Sequence, residues 1–404
     1  MNCRSLSTVA VFLGLICLWG CGAGQNTSSP DPGGQQKHPG KGFQHIIVLV
    51  QENRSYDQYM GRFGAYRRQF HDDNTPVSEL DLITPVRTRT GAMIHPFHFR
   101  TVCVMNPIAR PYDPEDMVYV GYYDWTDLNY YYELFYQYAT SDQFYAAVPG
   151  ETEMNRMMLM GATTGGYQHV PSVQGGWTQP TIFDRLSDAG VSWKYYVQDS
   201  NPPFIAGYAT AHKHPENIVK IDEYFQDLQS PETMPQVMFI ERWSGLDEHP
   251  GMRNNIQSGA HRAATLIDAF LKSPAYATSA FVLTYDEFGG FWDSEHPIPT
   301  VPPADLPPGS APDLTKSGRR IPFVVVSPFA KAHYVSHTKR DATAVLKFIE
   351  DRFNLQPLTA RDAAAEDITD MFDFNDPPVA TPPPLPTQVT NGVCDVTLQS
   401  DPNQ

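Results

Sequence analysis

Two short acidic clusters, each closing an apolar run, are the residues of this chain best suited to chemistry. His45-Ile46-Ile47-Val48-Leu49-Val50-Gln51 leads into Glu52-Asn53, and Phe281-Val282-Leu283-Thr284-Tyr285 leads into Asp286-Glu287. Such runs read as buried strands, and ligands of open α/β sheets gather where parallel strands end at their carboxyl edge. A Glu-Asn pair and an Asp-Glu pair there offer four hard oxygen donors, a set suited to one divalent cation. Metal-assisted reaction of an oxyanionic substrate is the chemistry expected. Taken separately, Asn53 would serve equally as a helix cap and the two carboxylates as ordinary loop residues. Their joint appearance after apolar strands favours the metal site.

Alternating elements must position these groups. Val191–Val197, Val237–Ile240, Ala280–Tyr285 and Ile321–Val326 read as buried strands. Thr181–Ala189 reads as a helix stopped by Gly190. Ala263, Leu266, Ile267, Phe270 and Leu271 make one apolar helical stripe, and Val345, Leu346, Ile349 and Phe353 make another. This alternation predicts an α/β fold with a central, mainly parallel sheet and helices on both faces. The segment Tyr119–Tyr145, crowded with tyrosines, reads as an amphipathic helical region whose rings are mostly structural. In a lesser reading, a few of them line an apolar mouth for a bulky substrate.

With 29 basic and 45 acidic residues, the net charge of −16 repels polyanions at long range and excludes general nucleic-acid binding. Arg4 followed by the apolar Val9–Trp19 reads as an export signal, too short for a comfortable membrane span. Leu18-Trp19-Gly20-Cys21 resembles a bacterial lipobox, so residues 1–21 are read as a lipoprotein signal with Cys21 lipidated. Plain cleavage near Gly20–Ala23, giving a secreted protein, is the alternative. Residues 22–42, rich in Gly, Pro, Ser and Gln, form a flexible tether. A domain then spans 43–375 and a proline-rich tail 376–404. With Cys21 lipidated, Cys103 and Cys394 remain, either as one disulfide in an oxidising compartment or as two free thiols.

A family resemblance runs through the same residues. Glu52-Asn53-Arg54-Ser55-Tyr56-Asp57-Gln58-Tyr59-Met60-Gly61 resembles the opening motif of the bacterial phosphoesterase family, which holds phospholipases C and acid phosphatases on an alkaline-phosphatase-like α/β core. Pro149-Gly150-Glu151-Thr152-Glu153-Met154-Asn155-Arg156 resembles its nucleophile block, and Thr284-Tyr285-Asp286-Glu287-Phe288-Gly289-Gly290-Phe291 its second metal block. Similarity spans about Phe43 to Phe374. The resemblance implies Glu52, Asn53, Asp286 and Glu287 as metal ligands, with Thr152 as both ligand and nucleophile of a phosphothreonyl intermediate. Metal coordination is a recognised way to activate so weak a nucleophile. Asn155 and Arg156 are expected to hold phosphoryl oxygens; a structural ion pair is an equal reading for Arg156. His249, in Glu248-His249-Pro250, matches a family histidine and would assist as acid or phosphate donor.

This chain also departs from the family pattern. Ser294 stands where a histidine usually follows the aspartate, and His296 is the compensating candidate. The nucleophile block usually has prolines near Glu151 and Met154, whereas this chain places acidic Glu151 and Glu153 around Thr152. No histidine occurs in 106–117, and Ala342 replaces another. The reading is a metal-dependent hydrolase of phosphoric esters, diester or monoester, acting on a phosphate ester that includes phospholipids among its candidates. A sulfatase or phosphonate hydrolase on the same sort of core is disfavoured because no Cys-x-Pro-x-Arg motif surrounds Thr152. The alternative from another class is a catalytically inactive surface protein that binds a ligand in the same cleft.

Overall fold

The seven residues of strand β1 (His45–Gln51) are all buried, which places this strand in the middle of a sheet covered on both faces. The computed structural model describes residues 43–87, 91, 93–105, 117–169, 175–199, 202–251, 254–303, 306 and 313–398. Residues 1–42, expected to hold the signal, Cys21 and the tether, and residues 106–116 lie outside the described residues.

Seven further strands complete the main sheet: β2 (Ala139–Ser141), β3 (Trp193–Val197), β4 (Ile218–Lys220), β5 (Val237–Ile240), β6 (Ser279–Tyr285), β7 (Phe323–Val326) and β8 (Val335–Ser336). Their order is β8-β2-β7-β6-β1-β5-β3-β4. Strands β6, β1, β5, β3 and β4 run parallel, β7 is antiparallel to both neighbours, and β2 and β8 are parallel to each other. The expected mainly parallel α/β sheet is therefore present. Strands β2, β4 and β8 are too short to leave an apolar run in the sequence.

Six of the helices bear on the site or on its supports: α1 (Tyr56–Met60), α2 (Asn129–Gln137), α3 (Thr152–Gly161), α4 (Ile182–Asp188), α5 (Ile256–Leu271) and α6 (Ala344–Phe353). Helix α2 packs on α5, while α3 packs on α4 and α6. Helix α4 begins at a capping box between Thr181 and Asp184, and Gly190 beyond its end takes φ +69°. The tyrosine-rich segment is α-helical only in α2, after a short 3-10 turn at Met117–Val120; strand β2 follows, and Tyr123, Tyr130, Tyr131, Tyr132 and Tyr145 are buried in the core.

Cys103 and Cys394 form a disulfide across 291 residues of sequence. The proline-rich tail lacks strand or α-helix among its described residues, yet it is strapped to the domain. Val102 N–H donates to Val393 O at 2.9 Å, Gly392 N–H to Gln257 Oε1 at 2.8 Å, and Gln388 Nε2 to Asp127 O at 2.7 Å. No helix among the described residues is long and apolar enough to cross a membrane.

Candidate active site

The register of β1 against β6 pairs Gln51 with Tyr285, so Glu52 and Asp286 leave the sheet side by side. Asn53 then adopts φ +59°, a conformation asparagine tolerates better than most residues. Its backbone N–H donates to Asp286 Oδ1 at 2.9 Å, and its side-chain amide donates to Glu287 Oε1. Glu287 N–H also donates to Asp286 Oδ1 (2.7 Å), and Gly289 N–H to Glu287 Oε2 (2.7 Å). The helix cap here is Ser55, whose hydroxyl accepts from Gln58 N–H, so Asn53 is left to the site.

Thr152 occupies the first turn of α3, where unpaired backbone N–H groups and the helix dipole favour an anion. Its Oγ lies 3.2 Å from Glu52 Oε2 and 3.1 Å from Asn53 Oδ1. One turn along, Arg156 reaches Glu52 Oε1 at 2.8 Å and Asp286 Oδ2 at 3.4 Å. Arg242, just after β5, also contacts Glu52 Oε1 (2.9 Å) and clasps Asp247 Oδ2 (2.7 Å). Glu52, Thr152, Arg156, Arg242 and His249 line a cleft of about 580 Å³ at the carboxyl edge of the sheet.

Three buried carboxylates meet here against two arginines. Burial works to raise Glu52, but Arg156 and Arg242 offset it and hold the group below its usual range. Burial, then the charge of Glu52, pushes Asp286 up to about 7; burial and Asp286 drive Glu287 well above the carboxylate range. The excess of negative charge is what a cation would relieve, and Asp286 Oδ2 is buried without a hydrogen-bond partner. The donor set of Glu52, Asn53, Thr152, Asp286 and Glu287 is all oxygen, so it fits a hard divalent ion. A separate trio, His98, Asp124 and Asp127, also brings potential ligand atoms within 4.8 Å of one another. His98 Nε2 is already 2.7 Å from Asp127 Oδ2.

Two expected site residues stand elsewhere. Asn155 is fully buried beneath the loop before Thr152, with its Nδ2 on Gly150 O (2.9 Å) and its Oδ1 on Val148 N–H (3.0 Å). Those bonds fix the loop and leave no amide hydrogen for phosphate. His296 is exposed in the loop after Asp293 and does not reach the cleft. Ser294, at the histidine position, accepts from Arg320 Nη2 at 3.0 Å. His249 does line the cleft; its backbone N–H donates to Asp247 Oδ1 (3.2 Å), and its Nδ1 is buried without a partner. Of the acidic neighbours of Thr152, Glu151 is exposed, whereas Glu153 lines the cleft and pairs with His169 at 3.1 Å.

Sequence reasoning missed Glu241, Arg242 and Asp247. Glu241 follows the apolar strand β5 just as Glu52 follows β1, so the same signal was available. Glu248 enters the sequence reading only as part of a motif. It is a buried hub, accepting from Tyr131 (2.6 Å), Gln51 (2.8 Å) and Tyr285 (2.8 Å) and so holding the loop that carries His249. Arg320 is a second hub. It pairs with Asp57 and Asp293 at 2.8 Å each, tying the first motif to the loop after Glu287.

A sequence model of the phosphoesterase family matches residues 43–107 and 104–356. Phospholipase C B of Mycobacterium tuberculosis is 27% identical over 423 residues, covering 85% of this chain and 80% of its own. Non-hemolytic phospholipase C of Pseudomonas aeruginosa is 25% identical over 418 residues, covering 86% of this chain and 59% of its own. Among solved structures, an alkaline phosphatase superfamily protein from Vibrio parahaemolyticus aligns at TM-score 0.43 and 12% identity, over 80% of this chain and 70% of that one.

Proposed function

Because the chain belongs to the phosphoesterase family and is a phosphoester hydrolase, we propose that it cleaves phosphoric esters through Thr152, with phospholipid-type diesters as the favoured substrates. The observation that carries this reading is the seat of Thr152. Its hydroxyl stands at a helix N-terminus, 3.2 Å from Glu52 and 3.1 Å from Asn53, one turn from Arg156. The preference for phospholipids is taken from the phospholipase C relatives.

Glu52, Asn53, Thr152, Asp286 and Glu287 would hold one divalent cation. When bound, such an ion lowers the pKa of a coordinated hydroxyl and neutralises charge on a transferring phosphoryl group. The chain's own groups do the rest. The first-turn N–H groups of α3 and the guanidinium of Arg156 attract and orient phosphoryl oxygens. Thr152 Oγ attacks phosphorus and the alcohol departs; water then releases the phosphothreonine. His249, on the cleft wall, donates to the phosphoryl group.

The Cys103–Cys394 disulfide fits an oxidising compartment and supports the reading of residues 1–21 as an export signal. Cys21 would then carry the membrane anchor, which radiolabelled fatty acid incorporation and its loss in Cys21→Ser would check.

Hydrolysis of p-nitrophenyl phosphate and p-nitrophenylphosphorylcholine by metal-loaded protein is the deciding assay. Turnover that Thr152→Ala abolishes supports the mechanism, and the ratio of the two rates assigns monoester or diester chemistry. Turnover that survives Thr152→Ala overturns it. No turnover with any of several metals shifts the reading to a ligand-binding protein.

A further inference from the structure

Glu241 is a carboxyl in the same cleft that neither the metal site nor the nucleophile employs. It directly follows β5, the parallel neighbour of β1, and the β1 register sets Ile240 opposite Leu49. The side chain is only 3% exposed yet lines the cleft. Its Oε1 is fixed by Phe204 N–H at 2.7 Å, and its Oε2 is buried with no hydrogen-bond partner. The nearest cations are turned to other carboxylates, Arg156 to Glu52 and Asp286, and Arg242 to Glu52 and Asp247. A carboxyl that is buried, tethered by one oxygen and left out of the ion pairs favours its neutral form. A neutral carboxyl presents a proton on its free oxygen.

We propose that Glu241 is the acid of the reaction, donating the Oε2 proton to the oxygen of the departing alcohol. The inference rests on phosphoester hydrolysis at Thr152. As the bond from Thr152 Oγ to phosphorus forms, the bond from phosphorus to the alcohol oxygen breaks. The electron pair stays on that oxygen, which takes the Oε2 proton and leaves as a neutral alcohol. Glu241 becomes a carboxylate, and the threonine proton passes to solvent. In the second half, water bonds to phosphorus and the phosphorus–Oγ bond breaks. One water proton restores the threonine hydroxyl, and a solvent proton restores Glu241. The sum is ester plus water giving phosphate plus alcohol.

The charged and titratable groups around Glu241 are Glu52 after β1, Glu153 and Arg156 from α3, Tyr195 and Asp199 from β3 and its loop, and Arg242, Asp247 and His249 after β5. Burial leads in raising Glu241 to about 7, with Asp199 adding to it and the two arginines opposing. That value suits a group that must hold a proton near neutrality and release it on demand.

The leaving group discriminates. A p-nitrophenolate departs without protonation, whereas an alkoxide needs a proton. For matched p-nitrophenyl and n-alkyl esters, Glu241→Gln should lower kcat/KM on the alkyl ester by about 10²-fold or more and change the p-nitrophenyl ester by less than about threefold. The alkaline limb of the alkyl-ester pH profile should also vanish in this variant. Equal losses on both esters overturn the proposal, as does a limb that persists in Glu241→Gln and disappears in His249→Gln. Infrared difference spectra supply a readout independent of turnover. A protonated-carboxyl carbonyl band below neutral pH, missing from Glu241→Gln, supports the assignment; no such band overturns it. Thr152→Ala with undiminished activity would instead strike the nucleophile reading, so the two failures are separable.

Discussion

The backbone N–H of Asn53 donates to Asp286 Oδ1 at 2.9 Å, binding two residues 233 positions apart in the chain. The two acidic clusters are therefore one unit, built where β1 and β6 end in register. Anything that separates those strand ends disperses the site.

Gly289 guards that junction. It takes φ +67°, and a Cβ there would lie 2.2 Å from Asn53 O, a backbone atom with no freedom to withdraw. Gly289→Ala should abolish ester hydrolysis and cost at least about 2 kcal/mol of stability. Urea unfolding alongside the activity assay checks both.

Arg320 neutralises Asp57 and Asp293 in a fully buried cluster. Arg320→Met should destabilise by about 3–5 kcal/mol, because it strands two carboxylates without a cation. Even with the arginine, burial raises Asp293 to about 7. Its folded-state pKa thus exceeds the unfolded one, so its contribution is complete at acid pH and is lost as pH rises through 7. The variant's deficit should accordingly be smaller at pH 5 than at pH 8, measured by unfolding at both.

Glu350 on α6 is buried, and burial followed by the neighbouring Asp362 pushes it up to about 9. The fold thus holds a proton there that the unfolded chain releases near 4.5. Stability from this group is complete below that value and declines as pH climbs towards 9. Glu350→Gln should leave stability nearly unchanged at pH 5 and raise it by about 1–3 kcal/mol at pH 9. Thermal unfolding across that range would show a flatter profile than wild type.

Asn155 tests the difference between touching substrate and holding what does. Asn155→Ala removes its bonds to the Val148–Glu151 loop and should cost about 1–3 kcal/mol. A displaced Thr152 should lower kcat by as much as about 10²-fold while KM changes little. A rise in KM with kcat intact would return Asn155 to the phosphate.

The contrast between residues explains what sequence discloses here. Glu52, Asn53, Asp286 and Glu287 were legible because long apolar strands point to their own ends. Thr152 and Arg156 were legible through a motif that sets them one helical turn apart. Asn155 shares that motif, but its loop packs against it, and such packing leaves no periodic trace. His296 matched by proximity in sequence, whereas Arg320 grips the loop through Ser294 and leaves His296 facing solvent. Glu241 follows the four-residue strand β5, which the sequence discloses, but it stands there beside Arg242, whereas Glu52-Asn53 and Asp286-Glu287 each set two oxygen donors together.

The disulfide between Cys103 and Cys394 also sets a timetable. Strand β1 is made early, yet one of its partners, β6, is synthesised more than two hundred residues later, and the covalent clasp closes only when residue 394 has emerged. Early segments must wait, with the apolar face of the central strand uncovered, for partners made late. The clasp can form only around a chain in which the whole 291-residue interval between its cysteines has already been made.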